Sequence, residues 1–313
     1  MKKKEMRFRM DFVQEIVAAD DKTRTLIVKL TPDPRRYEWK EINGERCLFD
    51  KFDHFLIPEN VFAECAKKLT DRPLYFEPQL IGNADEYVQS RLPEIREEIS
   101  GNFPEPTFED KSEEFLESLK TDELGFVILS LDMVDSTSLQ ASLPPEKYSR
   151  LISVLLYEIS SVVPLFHGHI LKYTGDGIIA YFPEPSFITK NDLAIDCSLT
   201  LRKLVYNGIN PIIRSLGYNQ IDIRIWLDSG NAFVVTIGNP ETKQHKDIIG
   251  LVVSLASKIQ ATANLGSINL GQATVQNLHT GWRMICSQVD LPKGWKYKTS
   301  DGVPYQIYKV DTR

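Results

Sequence analysis

Two runs of apolar residues, each bounded by a carboxylate, constrain this chain most. Phe126-Val127-Ile128-Leu129-Ser130-Leu131 ends in Asp132, and Ile178-Ile179-Ala180-Tyr181-Phe182 begins directly after Gly175-Asp176-Gly177. Runs this rich in Val, Ile and Leu read as buried strands, which hold their end carboxylates rigidly at the edge of a sheet. The glycines permit a tight reversal that presents Asp176. If the two strands are neighbours, both carboxylates converge on one point. Mg²⁺ and Mn²⁺ suit such a point, because hard ions prefer oxygen ligands and are completed by substrate phosphates. The turn Met133 to Ser138 leads towards a helix whose first N–H groups suit a polyphosphate, and Met133 joins Asp132 and Asp176 as a metal-site residue. Two unrelated turn aspartates would give the same local pattern.

A chain of 313 residues suggests about two domains. With 42% hydrophobic and 26% charged residues it reads as an ordinary soluble globular protein. A formal charge of -6 and a pI near 5.5 argue against a broad nucleic-acid-binding surface, so no nucleic-acid partner is expected. Cys47, Cys65, Cys197 and Cys286 show no CxxC spacing, which indicates neither a zinc site nor a disulfide framework. No stretch approaches the roughly 18 apolar residues of a membrane span. A cytoplasmic location without direct membrane insertion is the expectation.

Residues 1–110 read as a smaller α+β domain of unknown role. Strands are expected at 7–17 and 23–30, a hairpin at 37–49 turning at Asn43-Gly44, and helices at 58–69 and 85–99. Gly101-Asn102-Phe103-Pro104-Glu105-Pro106, with the acidic segment through Glu117, places the domain boundary near 101–120. Residues 120–313 then alternate strands and helices. The pattern predicts a strand at 125–132, a helix at 144–166, a hairpin at 169–182, a helix at 190–216, a strand pair over 221–238 and a helix at 248–263, with strands to the end.

The segments Leu131-Asp132-Met133-Val134-Asp135-Ser136-Thr137 and Lys172-Tyr173-Thr174-Gly175-Asp176-Gly177-Ile178-Ile179-Ala180-Tyr181-Phe182 resemble the two metal motifs of the class III nucleotidyl cyclases. The 44-residue separation of Asp132 and Asp176 matches that family's spacing. Arg224-Ile225-Trp226-Leu227-Asp228-Ser229-Gly230 is similar to its R-x-G-x-x-x-G strand, Asp247-Ile248-Ile249-Gly250 to the opening of its dimer-site helix, and Leu291-Pro292-Lys293-Gly294 to its late Lys-Gly turn. The resemblance covers about 120–310. It implies an α+β fold with a central, mostly antiparallel sheet flanked by helices, closure of a nucleoside triphosphate to its 3′,5′-cyclic monophosphate, and release of pyrophosphate. It also implies two Mn²⁺ or Mg²⁺ ions per site and a head-to-tail homodimer with the active sites at the interface.

On this resemblance Lys293 contacts the triphosphate, while Lys172 and Asp247 read the base. Ser254 stands where the family has the Asn that orients the ribose, and Lys258 where it has the Arg that stabilises the transition state; these two are the implied catalytic residues. Asp135 reads as a loop residue rather than a third ligand, and His167, His169 and His245 are assigned no catalysis. An ammonium pairs with adenine N1 or uracil O4, and a carboxylate with adenine N6–H or uracil N3–H, so Lys172 and Asp247 leave both bases open. Trp226, where the family usually has glycine, and Tyr173 add rings that would shorten the pocket for a single-ring base. Such departures resemble the bacterial antiphage pyrimidine cyclases, which make cyclic UMP or cyclic CMP for a separate effector to read. UTP is narrowly favoured, with ATP, or a catalytically silent nucleotide-binding module, as the alternatives.

Overall fold

A computed structural model describes residues 9–20, 25–70, 79–102, 111–183, 189–259 and 265–311. The chain divides into two compact units, one of residues 1–78 with 276–284, the other of 79–275 with 285–313.

In the smaller unit, β1 (Phe12–Asp20) and β2 (Thr25–Pro32) form an antiparallel ribbon. The strands β3 (Tyr37–Ile42), β4 (Glu45–Asp50) and β5 (Leu56–Pro58) form a sheet followed by helix α1 (Glu59–Thr70). The expected hairpin turns at Asn43 and Gly44, both at positive φ (54° and 80°), which is why an Asn-Gly pair sits there. Tyr37, Leu48 and Ile57 are buried against Met10, Trp39, Phe55 and Phe62. Beside them Arg36 donates to Asp50, Asp11 and Asp53 at 2.8, 3.1 and 3.0 Å. Arg283 clamps Asp53 with two bonds of 2.9 Å, and Thr280 donates to Asp11, which brings the segment 276–284 into this unit.

The larger unit opens with α2 (Ala84–Ser100), capped by the Asn83 side chain at one end and by Gly101 in the left-handed conformation at the other. Sequence placed this helix in the N-terminal domain, with a boundary at 101–120. The division instead falls after Pro78, because α2 buries Val88 and Ile95 completely and Arg91 binds Glu158 of α5 (Pro145–Val162).

After α3 (Ser112–Ser118) come β6 (Glu123–Met133), α4 (Ser136–Ser142), α5 with a 3₁₀ extension to Phe166, β7 (His169–Tyr173), β8 (Ile178–Pro183) and α6 (Lys190–Lys203). A widened turn, Leu204–Ile209, joins α6 to α7 (Asn210–Ser215), with Gly208 lying against Val88 and Ile95 of α2. Then follow β9 (Ile223–Asn239), β10 (Lys243–Ile249), α8 (Leu251–Ile259), β11 (Ile268–Gly271), α9 (Gln272–Asn277), α10 (Thr280–Arg283), β12 (Cys286–Val289) and β13 (Ile307–Val310).

The sheet runs β12-β13-β11-β9-β6-β8-β7, with β10 on β9. Every pairing is antiparallel except β11 with β9. This is the α+β architecture expected. At its centre, Phe126 to Leu129 and Leu131 of β6 are wholly buried, each contributing roughly 1.5–3 kcal/mol of burial.

Two expectations need correction. The strand pair over 221–238 is one continuous strand, because Asp228 is buried in the sheet; the reversal comes after Asn239, whose side chain accepts the Glu241 N–H. Asp247 lies on β10, and α8 starts at Leu251, because Ile248 and Ile249 pair with Val234 and Phe233. The stretch Pro145–Phe166 also proves long and apolar enough by composition to cross a membrane. Its residues Leu151, Val154, Leu155, Ile159 and Val162 are buried in the domain, as in the core helix of a globular protein.

Candidate active site

The sheet register carries Asp132 and Asp176 to the same place. Strands β6 and β8 pair antiparallel with Leu131 opposite Ile178, so the turn before β8 lies against the end of β6. The Thr174 N–H closes that turn on the Gly177 carbonyl at 2.9 Å, and Gly175 takes φ +87°. Gly177 packs so closely that an added Cβ would stand 2.3 Å from the Leu131 oxygen and 3.0 Å from Asp132 Cα. Both contacts are backbone, so Gly177→Ala is expected to displace the turn. Turnover should fall by about a hundredfold or more while the melting point drops by several degrees, measured on the same purified sample.

On the other side of β6, Arg224 of β9 lies directly opposite Asp132 and donates to its Oδ2 at 3.1 Å. The Arg224 Nε is buried and has no partner among the described residues. Asp132, Asp176 and Arg224, with Met133, Asp135, Ser136, Thr137, Ser138 and Ala141, line an open cavity of about 640 Å³. Burial first, and then the Asp176 charge, push the Asp132 carboxyl above its usual range against the pull of Arg224. A carboxyl whose ionisation is opposed by burial and by a second carboxylate beside it is a fit for cations. Among the described residues no group of three or more His, Cys, Asp or Glu side chains is placed to hold a metal. Ions at this pair would therefore draw their remaining ligands from backbone, water and phosphate oxygens. Asp135, at φ 53°, opens α4 from the left-handed region.

Lys172 and Asp247, 75 positions apart, meet at 2.8 Å. The other Asp247 oxygen accepts the Ile248 N–H, which fixes the carboxylate as an acceptor. Lys172 and the half-exposed Tyr173 line a second cavity of about 520 Å³ with Lys243, His245 and Lys246. It shares no lining residue with the first.

Ser254 is exposed on α8, while Val252, Leu255 and Ala256 of the same helix are buried. The Lys258 side chain lies outside the described residues. Lys293 is exposed in the turn that Gly294 makes at φ +83°. Trp226 is corrected: it is fully buried in the core with Phe126, Ile128 and Val252, so its ring fills the core rather than lining a cavity. His169 stacks on Phe115, with ring centroids 4.0 Å apart. Arg224 is the site residue that sequence reasoning passed over; it stood in a quoted motif, but its place beside Asp132 depends on strand register.

A sequence model of the adenylate and guanylate cyclase catalytic domain matches residues 120–296. The chain is similar to an Escherichia coli protein named cytidylate cyclase, 27% identical over 167 residues, which cover 51% of this chain and 36% of that protein. It is also similar to adenylate cyclase 1 of Rhizobium meliloti (strain 1021), 25% identical over 130 residues, covering 41% and 19%. The chain thus matches little more than a third, or less, of the length of these relatives. Among solved structures, the adenylyl cyclase CyaB from P. aeruginosa aligns over 62% of this chain and 98% of its own, with TM-score 0.53 and 25% identity. The guanylyl cyclase Cya2 shares the fold, with TM-score 0.52 and 24% identity over 61% and 94%.

Proposed function

This chain belongs to the adenylate and guanylate cyclase catalytic domain family, the class III nucleotidyl cyclases, and on that premise we propose that it converts a nucleoside triphosphate to its 3′,5′-cyclic monophosphate and pyrophosphate. The observation that carries the proposal is the cavity in which β6, β8 and β9 bring Asp132, Asp176 and Arg224 together. Two Mn²⁺ or Mg²⁺ ions held by Asp132 and Asp176, with Met133 beside them, would supply a lower pKa for the ribose hydroxyl and neutralise triphosphate charge. Arg224 steadies Asp132 and adds a fixed positive charge to the cavity.

Lys172 and Asp247 present a donor and an acceptor to the base, and Tyr173 lies beside them. Ser254 and Lys258 are assigned to the ribose and the transition state, and Lys293 to the triphosphate. A homodimer is part of the proposal. Its support is that the cavity of Asp132 and Asp176 and the cavity of Lys172 and Tyr173 have no residue in common, as expected where each site is closed by halves from two copies.

A pyrimidine triphosphate, with UTP favoured, is the proposed substrate. It is supported by the E. coli relative named for a pyrimidine nucleotide and by the donor and acceptor that uracil O4 and N3–H require. ATP is the second reading, favoured by the Rhizobium relative and by adenine's N1 and N6–H. Signalling in antiphage defence extends the pyrimidine reading. Purified protein incubated with ATP, GTP, CTP and UTP and Mn²⁺, with products identified by mass spectrometry, is expected to yield cyclic UMP as the main product. A main product of cyclic AMP would sink the pyrimidine reading, cyclic CMP would move it to cytosine, and the absence of any cyclic product would sink the reaction.

A further inference from the structure

Strands β7 and β10 carry the base-reading pair, yet they are not hydrogen-bonded to each other: β7 pairs with β8, and β10 with β9. Besides the Lys172–Asp247 contact itself, α3, which lies just ahead of the matched family domain at 120–296, joins them. At its first residue the Ser112 Oγ accepts the Ile170 N–H of β7 at 2.8 Å, and the Ser112 carbonyl accepts the Tyr181 hydroxyl at 3.3 Å. One turn on, Phe115 stacks on His169 of β7.

At the far end the Lys246 ammonium of β10 donates to the Glu117 and Leu119 carbonyls at 2.6 and 2.5 Å, and the Lys246 N–H donates to the Glu117 carboxylate at 3.0 Å. A cation at a helix C-terminus satisfies carbonyls that the helix leaves open and complements its dipole. These anchors fall two residues before Lys172 on one strand and one residue before Asp247 on the other. The helix is therefore tied to both strands immediately beside the pair.

We propose that α3 is a bracket that sets the Lys172–Asp247 geometry, with Lys246 as a positioning residue for base recognition; this rests on the base-reading role proposed above. Lys246 borders the cavity of Lys172, but its ammonium is taken up by the Glu117 and Leu119 carbonyls. It acts by holding β10 to the helix that also holds β7, so that a donor and an acceptor face the base at a fixed separation. Preorganised polar groups discriminate bases better than mobile ones, because a mobile pair must be ordered at the cost of binding energy.

The test uses the full chain carrying Lys246→Met, Lys246→Arg or, at the other end of the helix, Ser112→Ala. Hydrogen exchange, which needs no turnover, is expected to quicken about tenfold at 169–173 and 243–249 in Lys246→Met and Ser112→Ala, with β6 unchanged. In an active enzyme both variants should raise KM for the preferred triphosphate about tenfold, change kcat by less than about threefold, and narrow the preference among the four triphosphates. Lys246→Arg, which keeps a cation for the carbonyls, should restore both readouts. Unchanged exchange overturns the bracket, and unchanged KM and preference in an active enzyme overturn the positioning role. A wild-type chain that makes no cyclic nucleotide defeats the proposed function alone, and exchange then decides the bracket. Should Lys246→Met fail to fold, Ser112→Ala carries the same expectations.

Discussion

Alanine at Asp132 or at Asp176 is expected to lower turnover of every triphosphate by at least about a thousandfold while leaving the melting point within a few degrees of wild type. A loss of that size corresponds to about 4 kcal/mol of transition-state stabilisation, within the reach of ions that neutralise developing charge. Stability should hold because burial and the Asp176 charge oppose ionisation of Asp132: Asp176→Ala removes part of that cost, and Asp132→Ala removes the carboxyl that bears it, which offsets the lost Arg224 contact. A stronger form of the experiment mixes Asp132→Ala protein with Asp247→Ala protein. If each site takes its carboxylates from one subunit and its base readers from the other, half of randomly exchanged dimers contain one intact site. About a quarter of wild-type activity should then return. Full turnover by either single variant defeats the metal assignment, and a mixture no more active than its parts defeats the shared site.

What the sequence made legible was what local pattern determines. The apolar runs before Asp132 and after Asp176 became β6 and β8, and the Asn43-Gly44 turn formed where positive φ is tolerated. What stayed hidden depends on partners distant in the chain. Arg224 joins the site because register sets it opposite Asp132, 92 positions away, and no local signal encodes that register. Motif position alone puts Trp226 beside the base, but whether a sheet residue faces a pocket or the core depends on which helix covers that face. Here Val252, Leu255 and Ala256 of α8 pack in the same cluster. Pro and Gly at 101–106 mark a break in secondary structure without saying what packs on what, so the packing of α2 with the elements after that break has no local signal. The bond from Arg91 to Glu158, 67 positions on, ties α2 to α5.

That same contact sets the second large expected effect, on stability. Arg91 lies between Glu98 of α2, at 3.0 Å, and Glu158 of α5, and both carboxylate side chains are fully buried. One guanidinium thus serves two dry carboxylates, and one oxygen of Glu98 has no partner among the described residues. Arg91→Ala would leave the Glu158 carboxylate without its counter-charge and the Glu98 carboxyl without its donor, and removing one partner from a buried ion pair typically costs about 3–5 kcal/mol. Urea unfolding at pH 8 should show a loss of that order; a loss below about 1 kcal/mol would mean that the cluster is solvated and α2 is held by packing alone. Burial first, and the neighbouring Glu158 charge second, push the Glu98 carboxyl from its ordinary 4.5 up to about 8. The native state therefore keeps a proton that the unfolded chain has released across that interval, so stability falls as pH rises from about 4.5 to about 8 and levels off above it. Glu98→Gln imitates the protonated side chain and removes the titration. Its stability relative to wild type should grow through that pH window, and parallel pH profiles for the two proteins would show that Glu98 carries no such proton.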